Sequence, residues 1–197
     1  MQSKKVNIRQ LPYRYHAMNA LLIIAFAVLF PLVHIANGWF FKFAEISPHI
    51  SLIYLPAFLR LANVLILGPR NGTLATVFGG VLLMRTFDDN SVAGLLNIGC
   101  SAFGPIVALV IFKTYTRRNF ELTSLKDLGA LTVIYAIANA VLHHLVWSVV
   151  DKSQLSEPIQ VLWMVLGDIF GALIGAYALK WTISKYRQNK ISRDLIN

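Results

Sequence analysis

Six stretches of the chain are apolar for long enough to form helices in a bilayer, and short polar segments separate them. They are residues 17–36, 50–68, 73–87, 92–113, 126–150 and 159–181. A helix needs about 20 predominantly apolar residues to cross a hydrocarbon core, so the third stretch is short for a full span. Between the second and third lies Gly68-Pro69-Arg70-Asn71-Gly72, a dense turn signal that sends the third helix straight back along the second. Asn37-Gly38 is expected to break the first helix. Trp39, Phe40, Phe41 and Phe43 then cluster around Lys42, the aromatic signature of a membrane–water interface. The first stretch is longer than the roughly 7–15 residues of a signal-peptide core and lacks a small-x-small cleavage site, so it reads as an uncleaved transmembrane helix. The expected architecture is all-α: a bundle of six transmembrane helices over residues 17–181, between a basic segment 1–16 and a basic tail 182–197.

The sixth stretch carries the most organised pattern. Gly167, Gly171 and Gly175 recur every four residues beside Ala172 and Ala176, which on a helix makes one flat stripe where a neighbouring backbone can approach closely. Asp168 lies along that stripe, so its carboxylate faces protein, at a depth where an unpaired charge is expensive. On the second stretch Pro56, Arg60 and Asn63 share a face. Arg60 is about ten residues and Asp168 about nine residues from the outer ends of their stretches, so helix rise places both about 14 Å deep. Matching depth and opposite charge make them candidate partners in an ion pair across the second and sixth helices, with His143 next in line for Asp168. Asn97 heads a small and polar stripe with Ser101, Gly104 and Ala108, and Asn139 and His143 share a face with Thr132, Ala136 and Trp147. Arg60, Asp168, Asn63, Asn97, Asn139 and His143 are therefore the candidate site, serving either a ligand or a structural ion pair.

A second cluster falls toward the outer side: His34, His49, Tyr54, Asp88, Asp89, His143, His144 and Trp147, candidates to line a vestibule. No local spacing turns it into a metal site, and adjacent His143 and His144 diverge by about 100° on a helix. Packing histidines are the plainer reading, and neither a metal nor another cofactor is expected. No Gly-rich phosphate loop and no nucleophile with a base at recognisable spacing is present, so an enzyme is not expected.

Composition agrees with the pattern. Of 197 residues 56% are hydrophobic and 14% charged, against about 25% charged in soluble domains, and the mean hydropathy is +0.60. The net charge of +9 does not point to nucleic acid, because membrane topology accounts for where the basic residues sit. With both termini in the cytoplasm, the inner side carries Lys4, Lys5, Arg9, Arg14, Arg70, Lys113, Arg117, Arg118, Lys126, Lys180, Lys185, Arg187, Lys190 and Arg193. The outer side then carries only Lys42, Arg85 and Lys152. That bias fixes the orientation. The single cysteine, Cys100, lies in an apolar segment and offers neither a disulfide nor metal-ligand spacing.

The run YLPAFLRLANVLILGPRNGTLATVFGG (54–80) resembles the second and third helices of MASE-type domains, the integral membrane-associated sensor domains of bacteria. NIGCSAFGPIVALVIFK (97–113), FELTSLKDLGAL (120–131) and WMVLGDIFGALIGAYAL (163–179) are similar to the segments that follow in that family. The chain departs from the pattern at Phe58 and Leu59, where small residues are favoured, and it ends sixteen residues after Trp181, where a kinase or cyclase domain usually follows. The resemblance implies a stand-alone sensor domain in a bacterial inner membrane, which detects a small ligand or a membrane state and acts through a separate signalling protein. Membrane lipid is the other expected partner. The alternative is the substrate-binding subunit of an energy-coupling-factor transporter, also a basic six-helix protein. Its usual Ala-x-x-x-Ala docking pattern is absent from Ala17, Ala20, Ala25 and Ala27. A purely structural membrane partner without a ligand is the third reading.

Overall fold

Backbone in contact with acyl chains must satisfy its hydrogen bonds within its own segment, so the apolar stretches fold as helices. The computed structural model describes residues 11–47, 50–84, 91–118, 120–121, 124–150 and 157–194. In order these form α1 (Leu11–Phe40), a short 3-10 turn (Lys42–Ala44), strands β1 (Glu45–Ser47) and β2 (Ile50–Ser51), α2 (Pro56–Met84), α3 (Ser91–Thr116), α4 (Leu125–Val150) and α5 (Ile159–Asp194). The strands form a small antiparallel ribbon that pairs Glu45 with Ser51 and Ser47 with Ile50. The protein is all-α apart from that ribbon.

The backbone of α2 is helical except at Gly68, where φ is 80° and ψ 166°, a conformation open to glycine because it has no Cβ. There the chain reverses. Asn63 Nδ2 donates to Thr76 Oγ1 at 3.0 Å, although thirteen residues of straight helix would hold them about 20 Å apart. A Cβ on Gly72 would collide with the Asn63 carbonyl oxygen, so the two arms touch backbone to backbone. The turn signal at residues 68–72 thus folds α2 into antiparallel arms, 56–67 and 69–84, about 18 and 24 Å long. Four segments are long and apolar enough to cross a membrane: His16–Phe40, Val92–Thr116, Leu125–Val150 and Ile159–Tyr186. Each arm of α2 is shorter than that measure.

The surface is that of a protein packed in lipid. Leu21, Ile24, Leu32, Phe103, Val110, Leu145 and Leu173 face outward, while Arg60, Asn63, Thr76, Ser101, Asn139, His143 and Asp168 are buried. This inverts the water-soluble arrangement and is compatible with a multi-pass membrane protein. α1 packs on α2, α3 on both α2 and α4, and α5 on α4 and α2. Ala57, Leu61, Ala108, Phe112, Leu131 and Tyr135 form one core cluster joining α2, α3 and α4.

Three boundaries differ from the sequence reading. α1 runs through Asn37-Gly38 to Phe40, because the Phe41 N–H still closes a helical bond to the Asn37 carbonyl at 2.9 Å. The Asn37 side chain is buried, and its Oδ1 accepts the Leu55 N–H at 2.8 Å. Residues 50–55 are not helical: Pro56 is preorganised for a first helical position and drives the residue before it toward extended backbone. At the other end, helix α5 continues past Trp181 to Asp194, and Lys185 Nζ sits 5.2 Å from the Trp181 ring centroid.

Candidate functional site

The glycine stripe on α5 receives the non-helical segment 50–55 and, at Gly175, the first turn of α2. A Cβ on Gly167 would strike the Ser51 carbonyl, one on Gly171 the Tyr54 carbonyl, and one on Gly175 the Phe58 ring. The Gly167 carbonyl accepts the Tyr54 N–H at 3.1 Å, so a non-helical strand of chain lies in a groove that only glycine leaves open. This contact fixes Tyr54, and Tyr54 fixes the rest of the site.

Arg60 Nη2 donates to the Tyr54 hydroxyl at 3.0 Å, which leaves the hydroxyl proton to reach His34 Nδ1 at 3.2 Å. The Arg60 guanidinium also lies 5.0 Å from the Tyr54 ring centroid and 5.6 Å from that of Phe30, so π faces share its charge. Arg60 is 5% exposed, and its Nε and Nη1 have no hydrogen-bond partner among the described residues. The Tyr135 hydroxyl and Asn139 Oδ1 are buried in the same condition.

Asp168 is 1% exposed and accepts a hydrogen bond from Asn139 Nδ2 at 2.6 Å. It does not form the ion pair expected with Arg60. Among the described residues the ion pair is Arg118–Asp127. The equal-depth argument fails because the two stretches do not start level: Gly167, already about two helical turns into α5, is the residue that meets Ser51 at the start of the other stretch. Gly167 meets Ser51, whereas Gly175, two turns farther along, meets Phe58. Arg60 therefore starts well below Asp168, and the two charges attract without touching. His143 is not the carboxylate's partner either. Its Nδ1 lies 2.9 Å from the Asn139 carbonyl, which can only accept, so that nitrogen carries the proton and Nε2 faces Ser101 Oγ at 3.4 Å.

The six candidate residues thus divide by place. Arg60, Asn97 and His143 line a cavity of about 90 Å³ together with His34, Tyr54, Thr76, Ser101 and Trp147. Asn97 Oδ1 accepts the Trp147 Nε1–H at 2.7 Å. Asn139 and Asp168 form their own pair and do not line it, and Asn63 pins the α2 hairpin. Of the outer cluster, His34, Tyr54, His143 and Trp147 converge on the cavity. His144 instead faces a groove between α4 and α5 with Val141, Pro158 and Val161, while His49, Asp88 and Asp89 fall outside the described residues. A shallower outer cavity of about 100 Å³, with Asn37, Lys42, Glu45 and Ser51 on its walls, shares His34 and Tyr54 with the inner one.

Two groups escaped the sequence reading. Tyr54 was placed with the vestibule, not on the arginine; the signal was Tyr-Leu-Pro, an extended approach to a helix start. The second is Asp127. It takes Arg118 in a two-pronged contact at 2.5 and 2.6 Å and also accepts the Glu121 N–H at 3.2 Å. Ser124 Oγ accepts the Asp127 N–H at 3.2 Å, a helix cap legible in Ser124-Leu125-Lys126-Asp127. Hydrogen bonding to Asp127 holds the Arg118 guanidinium above its usual pKa, so this closure of the α3–α4 loop keeps its cation at any working pH. No protein-family model matches the chain, and neither a curated protein nor a solved structure does.

Proposed function

We propose that this chain is a membrane-embedded sensing module of a bacterial inner membrane, which takes a small ligand into its central cavity and passes the change to a separate protein. One observation carries the reading: the cavity is lined from every helix. α1 gives His34, α2 gives Arg60 and Thr76, α3 gives Asn97 and Ser101, α4 gives His143 and Trp147, and α5 gives Met164. An occupant there touches all five helices at once, so differential binding to two arrangements of the bundle shifts their populations. In the same reading the arms of α2 cross as two short spans, which makes six in total with both termini in the cytoplasm, in accord with the charge bias. The inner ends of α3 and α5, rich in Lys and Arg, are the faces offered to the partner.

Photocrosslinking residues at Tyr115 and Lys185, both exposed, test this in native membranes. They are compared in the native chain and in a Ser101→Leu variant whose larger side chain fills the cavity. One defined protein should be captured from both positions, with a yield that changes when the cavity is filled. Anionic lipid binds such basic faces at about 1 kcal/mol per residue. Recovery of lipid alone, or a yield indifferent to filling, refutes the proposal.

A further inference from the structure

The central cavity is lined by a cation with unsatisfied donors and no acid in contact with it. Arg60 is buried to 5% exposure and lines the cavity. Its Nη2 is bound to Tyr54, and its Nε and Nη1 close no well-formed hydrogen bond among the described residues. The neighbouring Tyr135 hydroxyl is equally unsatisfied, and Asp168 attracts the guanidinium only from a distance. The flanking rings of Phe30 and Tyr54 supply π contact to the guanidinium but no acceptor for those N–H groups. No Asp or Glu is among the lining residues, and Asp168, the buried carboxylate nearest in chemistry, is taken by Asn139. A guanidinium desolvated this way favours an occupant with negative charge and oxygen acceptors.

The cavity also limits size and shape. About 90 Å³ corresponds to roughly three water volumes, so the occupant has about three to five heavy atoms. Asn97 lines the same cavity and uses its carbonyl oxygen on Trp147, so its amide N–H groups are the part of that side chain it can offer an occupant. Thr76 Oγ1 accepts from Asn63 and donates to the Gly72 carbonyl, so it offers no further proton. The donors available are therefore those of Arg60 and Asn97. Entry is provided by the outer cavity, which shares His34 and Tyr54 with the inner one and carries Lys42, an exposed cation, on its wall. The Tyr54–His34 hydrogen bond of 3.2 Å lies between the two spaces.

We infer that the cavity is a binding site for a small planar oxyanion, of the carboxylate, bicarbonate or nitrate class, with Arg60 as the counter-charge, Asn97 as the second donor and Tyr54 with His34 as the gate. This rests on the sensing reading only in its choice of cavity. The experiment uses the full chain in lipid nanodiscs. The thermal midpoint is followed while sodium formate, acetate, bicarbonate or nitrate is titrated against sodium chloride at matched ionic strength. At least one oxyanion should raise the midpoint saturably above the chloride control. Arg60→Gln should weaken its apparent affinity by at least about tenfold, the loss of one charge-assisted hydrogen-bond set, and Arg60→Lys should weaken it less. If Arg60→Gln does not fold, Ser101→Leu, which keeps the arginine and fills the space, should abolish the shift. No oxyanion exceeding chloride, or an equal shift in Ser101→Leu, overturns the inference. An oxyanion effect that Ser101→Leu removes, with partner crosslinking unchanged, sustains the site and refutes only the sensing reading. Crosslinking that responds to filling, with no oxyanion effect, refutes only the anion.

Discussion

Replacing Gly171 by alanine tests the packing that positions the site. In a helix interior glycine is less favourable than alanine by up to about 1 kcal/mol, so on propensity alone the change stabilises. Here the new Cβ would overlap the Tyr54 carbonyl group and come within 2.9 Å of the Leu55 nitrogen. Those neighbours are backbone and cannot rotate away, so segment 50–55 has to shift. Overpacking of this kind costs about 1–3 kcal/mol, and against backbone that cannot rotate away the upper end applies, which leaves a net loss of about 2 kcal/mol. Gly99, in the middle of α3, supplies the control, because a Cβ there meets nothing within 4 Å. Gly99→Ala keeps the propensity gain without the collision. For a chain of this size about 2–4 °C accompanies each kcal/mol, so the two variants should move the midpoint of thermal unfolding in detergent in opposite directions. Gly171→Ala should also loosen Tyr54 from Arg60. A Gly171→Ala protein as stable as the native chain, or an equal fall in Gly99→Ala, would refute the close-approach argument.

Asn139 and Asp168 should behave as a coupled pair. A double-mutant cycle with Asn139→Ala and Asp168→Ala is expected to give an interaction energy of about 0.5–3 kcal/mol, larger than that of the Arg60–Asp168 cycle, and the reverse order would restore the ion pair. For topology, a cysteine at Arg70 in a Cys100→Ser background should react with an impermeant thiol reagent only from the cytoplasmic side, and one at Lys42 only from outside. An Arg70 cysteine that reacts from neither side would mean that the α2 hairpin ends within the bilayer.

The helices and their reversal were legible because the signals are local: long apolar runs, and Gly-Pro with a second glycine between two of them. The stripe Gly167-Gly171-Gly175 was legible as a place of close approach. What approaches it was not, since the occupant is a non-helical segment whose departure from helix is encoded by Pro56 and by Asn37, whose side-chain oxygen accepts the N–H of Leu55 eighteen residues away. The register against that segment explains the failed ion pair. Counting residues from the end of each apolar stretch measures depth only where the stretches start level, and α5 begins about two helical turns before Gly167 meets Ser51. Charge complementarity then suggested a pair that geometry does not close, while Asn139, already among the candidates, took the carboxylate.

In the proposed sensing role, the same segment is what would link the site to α5. Tyr54 is held through its backbone by α5, at the Gly167 carbonyl, and through its side chain by α1 and α2, at His34 and Arg60. Its neighbour Leu55 is held by Asn37 of α1. Extended chain lacks the i to i+4 bonds that make a helix move as a body, so a change at Arg60 or His34 is passed directly to the α5 stripe instead of being absorbed within a rigid element. α5 then continues from that contact for about seven turns to Asp194. In the proposed sensing role, a displacement of Tyr54 would therefore reach the Lys- and Arg-rich end of α5 as a tilt of one continuous helix.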